Sequence, residues 1–176
     1  MTMQQPNLEP GAFWAYSVSR YTQGDMAPLA ILLQDNHQVN VNVLLLVGWC
    51  LQNNVIINLP QLKAVIEASA SMESRLQIHR AKRKAAHPDN GTDKATYDAL
   101  KAEELELERQ QQRDIVAAFN KQSVARLDHA QPFTGTVFNA SVAALINAYG
   151  LRDNAEARRL VSLVIKELSQ KNKNIE

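Results

Sequence analysis

The feature that most constrains this fold is the apolar run from Val41 to Trp49, which follows a polar break at residues 35–38. Residues 29–34 before the break are also apolar with helical character, so the sequence predicts helix, turn and helix over Leu33–Trp49. Such an apolar run is unstable in water, yet it is much shorter than the roughly 20 residues that span a membrane. We therefore expect a buried core helix around which the rest of the chain is organised.

Composition and length indicate a single all-α domain. The chain has 176 residues, enough to bury a substantial core, and only 6 glycines and 6 prolines interrupt it. Helix-favouring residues are frequent and alternating β-branched runs are scarce, so we expect no sheet. The predicted architecture is one domain over residues 1–176, an irregular bundle of about six or seven helices with a long helical hairpin.

Caps, prolines and three-to-four periodicity predict where the helices lie. Asp25, Asn40 and Asn58 are the expected N-caps of the second, third and fourth helices. We expect residues 1–9 to be a loose arm and residues 171–176 to fray. The predicted helices cover about residues 11–22, 26–36, 41–53, 59–84, 93–122, 137–149 and 154–169.

Two long helices, separated by a turn rich in proline, asparagine and glycine, form the predicted hairpin. The apolar stripe of the second helix runs through Tyr97 and Leu107, and Glu104 occupies a position on that stripe. Burying a carboxylate alone is costly, whereas a guanidinium can bond it through two donors. We therefore predict that Glu104 faces the first helix and meets Arg80 or Arg75.

The largest apolar side chains of the first and third helices predict one aromatic cluster. Neighbouring helices joined by short connections lie side by side, which brings these side chains together. We expect Trp14, Tyr21, Leu45 and Trp49 to be buried in this cluster.

Charge and cysteine content limit the classes of partner and compartment. The formal net charge is only +1, so the chain as a whole has no strong attraction for nucleic acid or anionic lipid. A single cysteine, Cys50, permits no internal disulfide, and no signal pattern precedes Phe13. We expect a cytoplasmic protein without a membrane segment, whose partner is another protein rather than nucleic acid.

Four polar residues, Asp35, His37, Asn40 and Asn42, crowd the turn before the apolar run. A carboxylate beside an imidazole could orient the ring for proton transfer or metal ligation. Alternatively, these side chains satisfy the free backbone groups at the two helix ends, which is the interpretation we favour. The histidines lack the spacing of a zinc site, so we expect no metal and no cofactor.

A signature in the first two thirds of the chain resembles a known family. It consists of Phe13-Trp14, Tyr21, Leu33-Gln34-Asp35-x-His37, Asn40-x-Asn42, Leu45, Trp49 and the Glu/Leu-rich stretch Ala102–Arg109. These residues resemble an uncharacterised bacterial family, a domain of unknown function, whose members read Leu-Gln-Asp-x-His-Gly-x-Asp-Val-Asn. Here Gln38 stands in place of that glycine and Asn40 in place of the second aspartate. The resemblance covers about residues 13–116 and implies an all-helical cytoplasmic protein with no assigned activity.

Two functions follow from these features. The one we favour is a non-enzymatic interaction or regulatory protein that presents its charged hairpin to a partner. The rival is a small-ligand binder or enzyme centred on Asp35, His37 and Trp49. A buried polar cluster opening into a pocket would favour the rival, and a convex turn without a pocket would favour the interaction protein. The expected partner-binding residues are the hairpin charges Arg75, Arg80, Arg83, Glu104 and Arg109.

Overall fold

The helical content of the computed structural model confirms the predicted all-α class. The structure describes residues 2–129, 131–133 and 135–170, with only the backbone of Thr136. The predicted fraying of residues 171–176 lies outside this range. The described residues form seven α-helices: α1 (Pro10–Tyr21), α2 (Met26–His37), α3 (Val41–Gln52), α4 (Leu59–Ala85), α5 (Lys94–Asn120), α6 (Gly135–Ala148) and α7 (Ala155–Ser169).

Helix α3 forms the centre of the core, as its apolar sequence predicts. Nine of its 12 residues are buried, and it packs against α1, α2, α5, α6 and α7. Gly48 permits the close approach of α1 and α7, because a Cβ atom there would lie 2.7 Å from Leu168 Cδ1 and 2.8 Å from Tyr16 Oη. No helix in the described part of the chain is both long enough and apolar enough to cross a bilayer.

Side-chain caps explain where α3 and α4 begin. The Asn40 Oδ1 atom accepts hydrogen bonds from the backbone N–H groups of Asn42 (2.9 Å) and Val43 (3.3 Å), which confirms its predicted role. Asn58 caps α4 through a reciprocal capping box with Gln61. The prediction for α2 is right in position and wrong in mechanism. Asp25 stands at the N-cap position, but its side chain makes no hydrogen bond to the backbone N–H groups of α2.

The turn between α2 and α3 contains a backbone conformation that favours glycine. Gln38 ends α2 with φ of 53° and ψ of 32°, in the left-handed region. A residue with a Cβ is disfavoured there, typically by about 1–2 kcal/mol. The turn is therefore formed at a local energetic cost.

A small sheet shows that the expectation of no sheet is wrong. Strands β1 (Thr2–Gln4), β2 (Val55–Ile56) and β3 (Val124–Arg126) form an antiparallel sheet in the order β1-β3-β2. Strands of two or three residues are too short to show an alternating pattern, and their partners are far apart in sequence.

The prediction of a loose N-terminal arm is also wrong for the described residues. Besides the pairing of β1, Leu8 is buried and its backbone is held by the Asn120 side chain. The Leu8 N–H donates to Asn120 Oδ1 at 3.0 Å, and Asn120 Nδ2 donates to the Leu8 carbonyl at 2.9 Å. The Asn120 side-chain amide thus bonds both backbone groups of Leu8, as a paired strand would, and holds the N-terminal segment against the end of α5.

The predicted hairpin consists of α4 and α5, joined by a 3-10 turn at Pro88–Asn90. Its proximal half, residues 59–68 and 113–120, contributes Leu62, Val65, Ile115 and Phe119 to the core. Its distal half, residues 69–85 and 94–112, combines buried apolar side chains with a charged cluster.

The expected single aromatic cluster is wrong in two respects. Of the four residues only Leu45 is buried, whereas Trp14, Tyr21 and Trp49 are partly buried. Trp49 packs edge-on against Phe119, with ring centroids 5.9 Å apart. Helix α1 turns Phe13 towards the core and leaves the adjacent Trp14 on its flank, because successive helical residues point about 100° apart.

Candidate functional site

Five charged side chains form a cluster in the distal half of the hairpin. Arg80 donates to Glu73 Oε1 at 3.0 Å and to Glu108 Oε1 at 2.7 Å, and its Nε lies 3.8 Å from Glu104 Oε1. Arg83 bonds Glu104 through its Nε. The prediction that Glu104 faces the first helix and meets Arg80 is thus confirmed, although its hydrogen bond comes from Arg83, one turn further along.

The cluster is largely shielded from water and is not electrically balanced. Burial lowers the pKa of Arg80, but the Glu108 and Glu73 carboxylates more than offset this, so the pKa is raised and the guanidinium stays charged. Three carboxylates share two guanidiniums, which leaves one formal negative charge on the cluster.

A chain of side-chain amides extends this cluster into the core. Asn42 Nδ2 donates to Glu108 Oε2 at 2.6 Å and to Gln111 Oε1 at 2.8 Å. An ionised carboxylate can only accept, so Glu108 fixes the orientation of the Asn42 amide. The Asn42 oxygen then accepts from Gln112 Nε2 at 3.0 Å, and the same nitrogen donates to Ser17 Oγ at 2.8 Å.

This orientation leaves one acceptor unused. Gln112 is only 2% exposed, and its Oε1 atom has no hydrogen-bond partner among the described residues. An unsatisfied buried acceptor typically costs about 1–3 kcal/mol. Native proteins rarely retain such groups without a reason such as an ordered water or a ligand.

A groove of about 470 Å³ lies beside the amide chain, between α1, α3 and α5. Its polar wall includes Asn42, Glu104, Glu108 and Gln112, so the ordered network faces the groove on one side. Its apolar surface comes from Trp14, Val18, Tyr21, Val41, Leu45 and Leu105. Apolar walls with a few fixed polar groups are typical of small-molecule sites.

The rim of the groove is apolar and exposed. Val18 is 48% exposed and Leu105 is 53% exposed, on opposite helices. Trp14 is covered in part by Arg109, whose guanidinium carbon lies 4.6 Å from the ring centroid. This cation–π contact shows that the indole can hold a positive group.

Tyr21 contributes a neutral hydroxyl to the groove. Burial raises the pKa of Tyr21, and the nearby Glu108 carboxylate raises it further. The phenol therefore stays protonated throughout the neutral range and can both donate and accept a hydrogen bond.

The four polar residues of the α2–α3 turn do not form one site. Asp35 is exposed, with Oδ2 3.6 Å from Lys84 Nζ, and His37 Nδ1 lies 3.4 Å from Asn154 Nδ2. Asn40 caps α3, and only Asn42 enters the network and lines the groove. The helix-capping interpretation therefore describes Asn40 well.

Asp35, His37 and Trp49, the centre of the rival function, are not among the residues that line this groove. Among the described residues, no group of three or more His, Cys, Asp or Glu side chains is placed to hold a metal ion. Cys50 is buried, and burial raises the pKa of its thiol, which keeps it protonated.

The predicted partner-binding residues do not form one outward-facing surface. Arg80, Arg83 and Glu104 lie between α4 and α5 and hold the hairpin together. Arg109 is exposed and lies over the Trp14 ring, and Arg75 is exposed.

The residues that sequence reasoning missed are Glu73, Glu108 and Gln112. A signal for the last two was present, because Glu104, Glu108 and Gln112 are spaced at i, i+4 and i+8 and so share a face of α5. This spacing places the three side chains on one face but does not by itself say that the face is buried, because the polar face of an amphipathic helix usually meets water.

Comparison with known proteins identifies a family but no activity. A family model described as a protein of unknown function, DUF2390, matches residues 12–115. This segment contains every residue that lines the groove and every member of the charged cluster and amide chain. Neither a curated protein nor a solved structure matches the chain.

Proposed function

The chain belongs to the DUF2390 family, whose function is unknown, and we propose a function from the geometry of the groove. We propose that this is a non-enzymatic cytoplasmic bacterial protein and that its function is to bind a small amphipathic ligand. The observation that carries this proposal is a buried polar network that opens into an apolar groove. That arrangement is what separates a ligand binder from a convex interaction surface.

The size and preorganisation of the groove support binding. Its volume of about 470 Å³ falls within the range of roughly 300–1,000 Å³ that small-molecule sites occupy. Asn42 and Gln112 are held by hydrogen bonds, so little side-chain entropy is lost when a ligand docks. The apolar side chains then contribute the transfer of a hydrocarbon group from water.

The state of the carboxylates supports binding without catalysis. Glu104 and Glu108, the acidic residues of the groove, are each already bonded to a guanidinium. The residues that line the groove include no histidine and no cysteine. The described groove therefore offers positioning and charge rather than an activated nucleophile.

A titration with octan-1-ol, followed by ¹H–¹⁵N correlation spectra, tests this proposal. The chain has two tryptophans, and only Trp14 lines the groove. We expect the Trp14 indole signal and the Gln112 side-chain amide signals to shift saturably, while the Trp49 indole signal stays unchanged. Equal shifts at both indoles, or none at Trp14 up to the solubility of octanol, would contradict the proposal.

A second candidate, a protein partner on the outer face of the hairpin, is favoured by one observation. Ile78 is 73% exposed, and Arg75 lies one helical turn before it. Affinity capture with the wild-type protein and with an Ile78→Gln, Arg75→Gln variant tests this candidate. A partner retained by the wild type and lost by the variant supports it, and equal retention contradicts it.

A further inference from the structure

We propose that the ligand carries a cationic head, an alkyl- or arylammonium group, which lies against Glu108 and Gln112 with its apolar body along Trp14 and Leu105. This inference rests on the ligand-binding function proposed above and adds the chemistry of the head group. It follows from the acceptor atoms of the polar wall that have no donor and from the negative charge of the linked ion-pair cluster.

The inner wall of the groove, at Asn42, Glu108 and Gln112, has unused acceptors. Gln112 Oε1 is buried without a partner among the described residues, whereas both Asn42 amide atoms are engaged. Glu108 has each oxygen bonded once, and a carboxylate oxygen can accept a second bond. A ligand that completes this wall must therefore donate hydrogen bonds.

The charge of the ion-pair cluster behind the wall makes a cationic donor more favourable than a neutral one. The charged residues that line the groove balance, with Glu104 and Glu108 against Arg83 and Lys101, but the linked cluster of Glu73, Glu104 and Glu108 with Arg80 and Arg83 retains one formal negative charge. Hydrogen bonds between charged groups are roughly twice as strong as neutral ones. An ammonium group supplies three donors and the missing positive charge together.

The aromatic surfaces favour the same head group. Tyr21 presents a ring to the groove, whereas the Trp14 ring already carries the Arg109 guanidinium and lies along the apolar body of the ligand. Ring faces attract cations and repel anions through their quadrupoles. An anionic head would meet both the Tyr21 ring and the Glu108 carboxylate.

Two cations also line the groove: Arg83, which is bonded to Glu104, and Lys101, which lies away from the proposed head position. Lys101 lines the groove, and its Nζ is 5.6 Å from the Tyr97 ring centroid, towards the tip of the hairpin. Seven residues separate Lys101 from Glu108, about 10 Å along a helix. At this separation, close to the Debye length at physiological salt, repulsion of a bound ammonium is weak.

Three probes with the same chain and different heads test the inference on the wild-type protein: octylammonium, octan-1-ol and octanoate at pH 7. We expect octylammonium to bind about tenfold or more tightly than octanol, and octanoate more weakly than octanol, by the shift of the Trp14 indole signal. If octanol binds but octylammonium binds no more tightly, the cationic head is wrong and the proposed function stands. If none of the three shifts this signal, both proposals fail.

Glu108→Gln tests the role of the carboxylate, because it removes the charge and preserves the shape. We expect it to abolish most of the difference between octylammonium and octanol affinity, both measured in the same variant. The matched control is Glu106→Gln on the exposed side of α5, where Glu106 pairs with Arg113 and all three affinities should be preserved. An unchanged advantage in Glu108→Gln would overturn the proposal.

A salt series on the wild-type protein keeps the test decisive if Glu108→Gln does not fold. Raising the ionic strength should reduce the ratio of octylammonium to octanol affinity, because salt screens a contact between charges. The octanol affinity itself should stay nearly constant. An advantage that does not change with salt would show that charge does not select the head group.

Discussion

The two halves of the α4–α5 hairpin are packed with different chemistry. In the proximal half, Leu62, Val65, Ile115 and Phe119 are fully or almost fully removed from water. In the distal half, the two helices are joined by the ion pairs of Arg80 with Glu104 and Glu108 and of Arg83 with Glu104. Apolar contacts contribute most of the stabilising free energy but specify little direction. Charged and amide contacts contribute less, yet they fix side-chain orientation and leave an acceptor beside the groove.

The largest effect is expected from breaking the proximal half. Phe119→Ala should lower the free energy of unfolding by about 3–5 kcal/mol, because it leaves a cavity and removes the edge-on contact with Trp49. Urea denaturation measures this loss. Ile78→Ala on the exposed face of α4 is the control and should change stability by less than about 0.5 kcal/mol. Similar losses for the two variants would contradict the assignment of the core to this half.

An intermediate effect is expected from breaking the distal half. Arg80→Met leaves Glu73 and Glu108 without their guanidinium and should cost about 2–3 kcal/mol. This is below the usual cost for fully buried pairs, because the two carboxylate side chains are 19% and 24% exposed.

The matched control for Arg80→Met is Arg113→Met. Arg113 also bonds a glutamate at 3.0 Å, but both side chains of that pair are well exposed. Such exposed pairs contribute about 0–1 kcal/mol, so the control should be nearly neutral. If both variants lost the same stability, the seam would have no special role in joining the helices.

The smallest stability effect concerns the turn that leads into α3, which supplies Asn42 to the network. Gln38→Gly should raise the free energy of unfolding by about 0.5–1 kcal/mol, because glycine adopts the left-handed conformation without a steric cost. Gln77→Gly in the exposed interior of α4 should lower it by about 1 kcal/mol. Opposite signs in thermal denaturation confirm the strain at Gln38, and a loss in both variants would contradict it.

Local sequence signals predicted the parts of this fold that depend on neighbouring residues. Asn40 caps α3 because an asparagine directly before an apolar run has free N–H groups within reach of its side chain. Glu104 faces α4 because its place on the apolar stripe decides its direction.

The parts that depend on distant residues could not be predicted in this way. Ser17, Asn42 and Gln112 meet only because α1, α3 and α5 pack against one another, and no local pattern encodes that packing. Adjacent aromatics such as Phe13 and Trp14 are equally apolar, so the sequence alone does not say which one is buried.

The measurement that tests the central claim most directly is the octan-1-ol affinity of Leu105→Gln compared with Ile78→Gln. Both residues are exposed apolar side chains on hairpin helices, and only Leu105 lines the groove. If the distal half carries binding and the proximal half carries stability, Leu105→Gln should lose most of the octanol affinity with an unchanged urea midpoint. Ile78→Gln should keep both. Equal affinities in the two variants would show that the ligand does not bind in this groove.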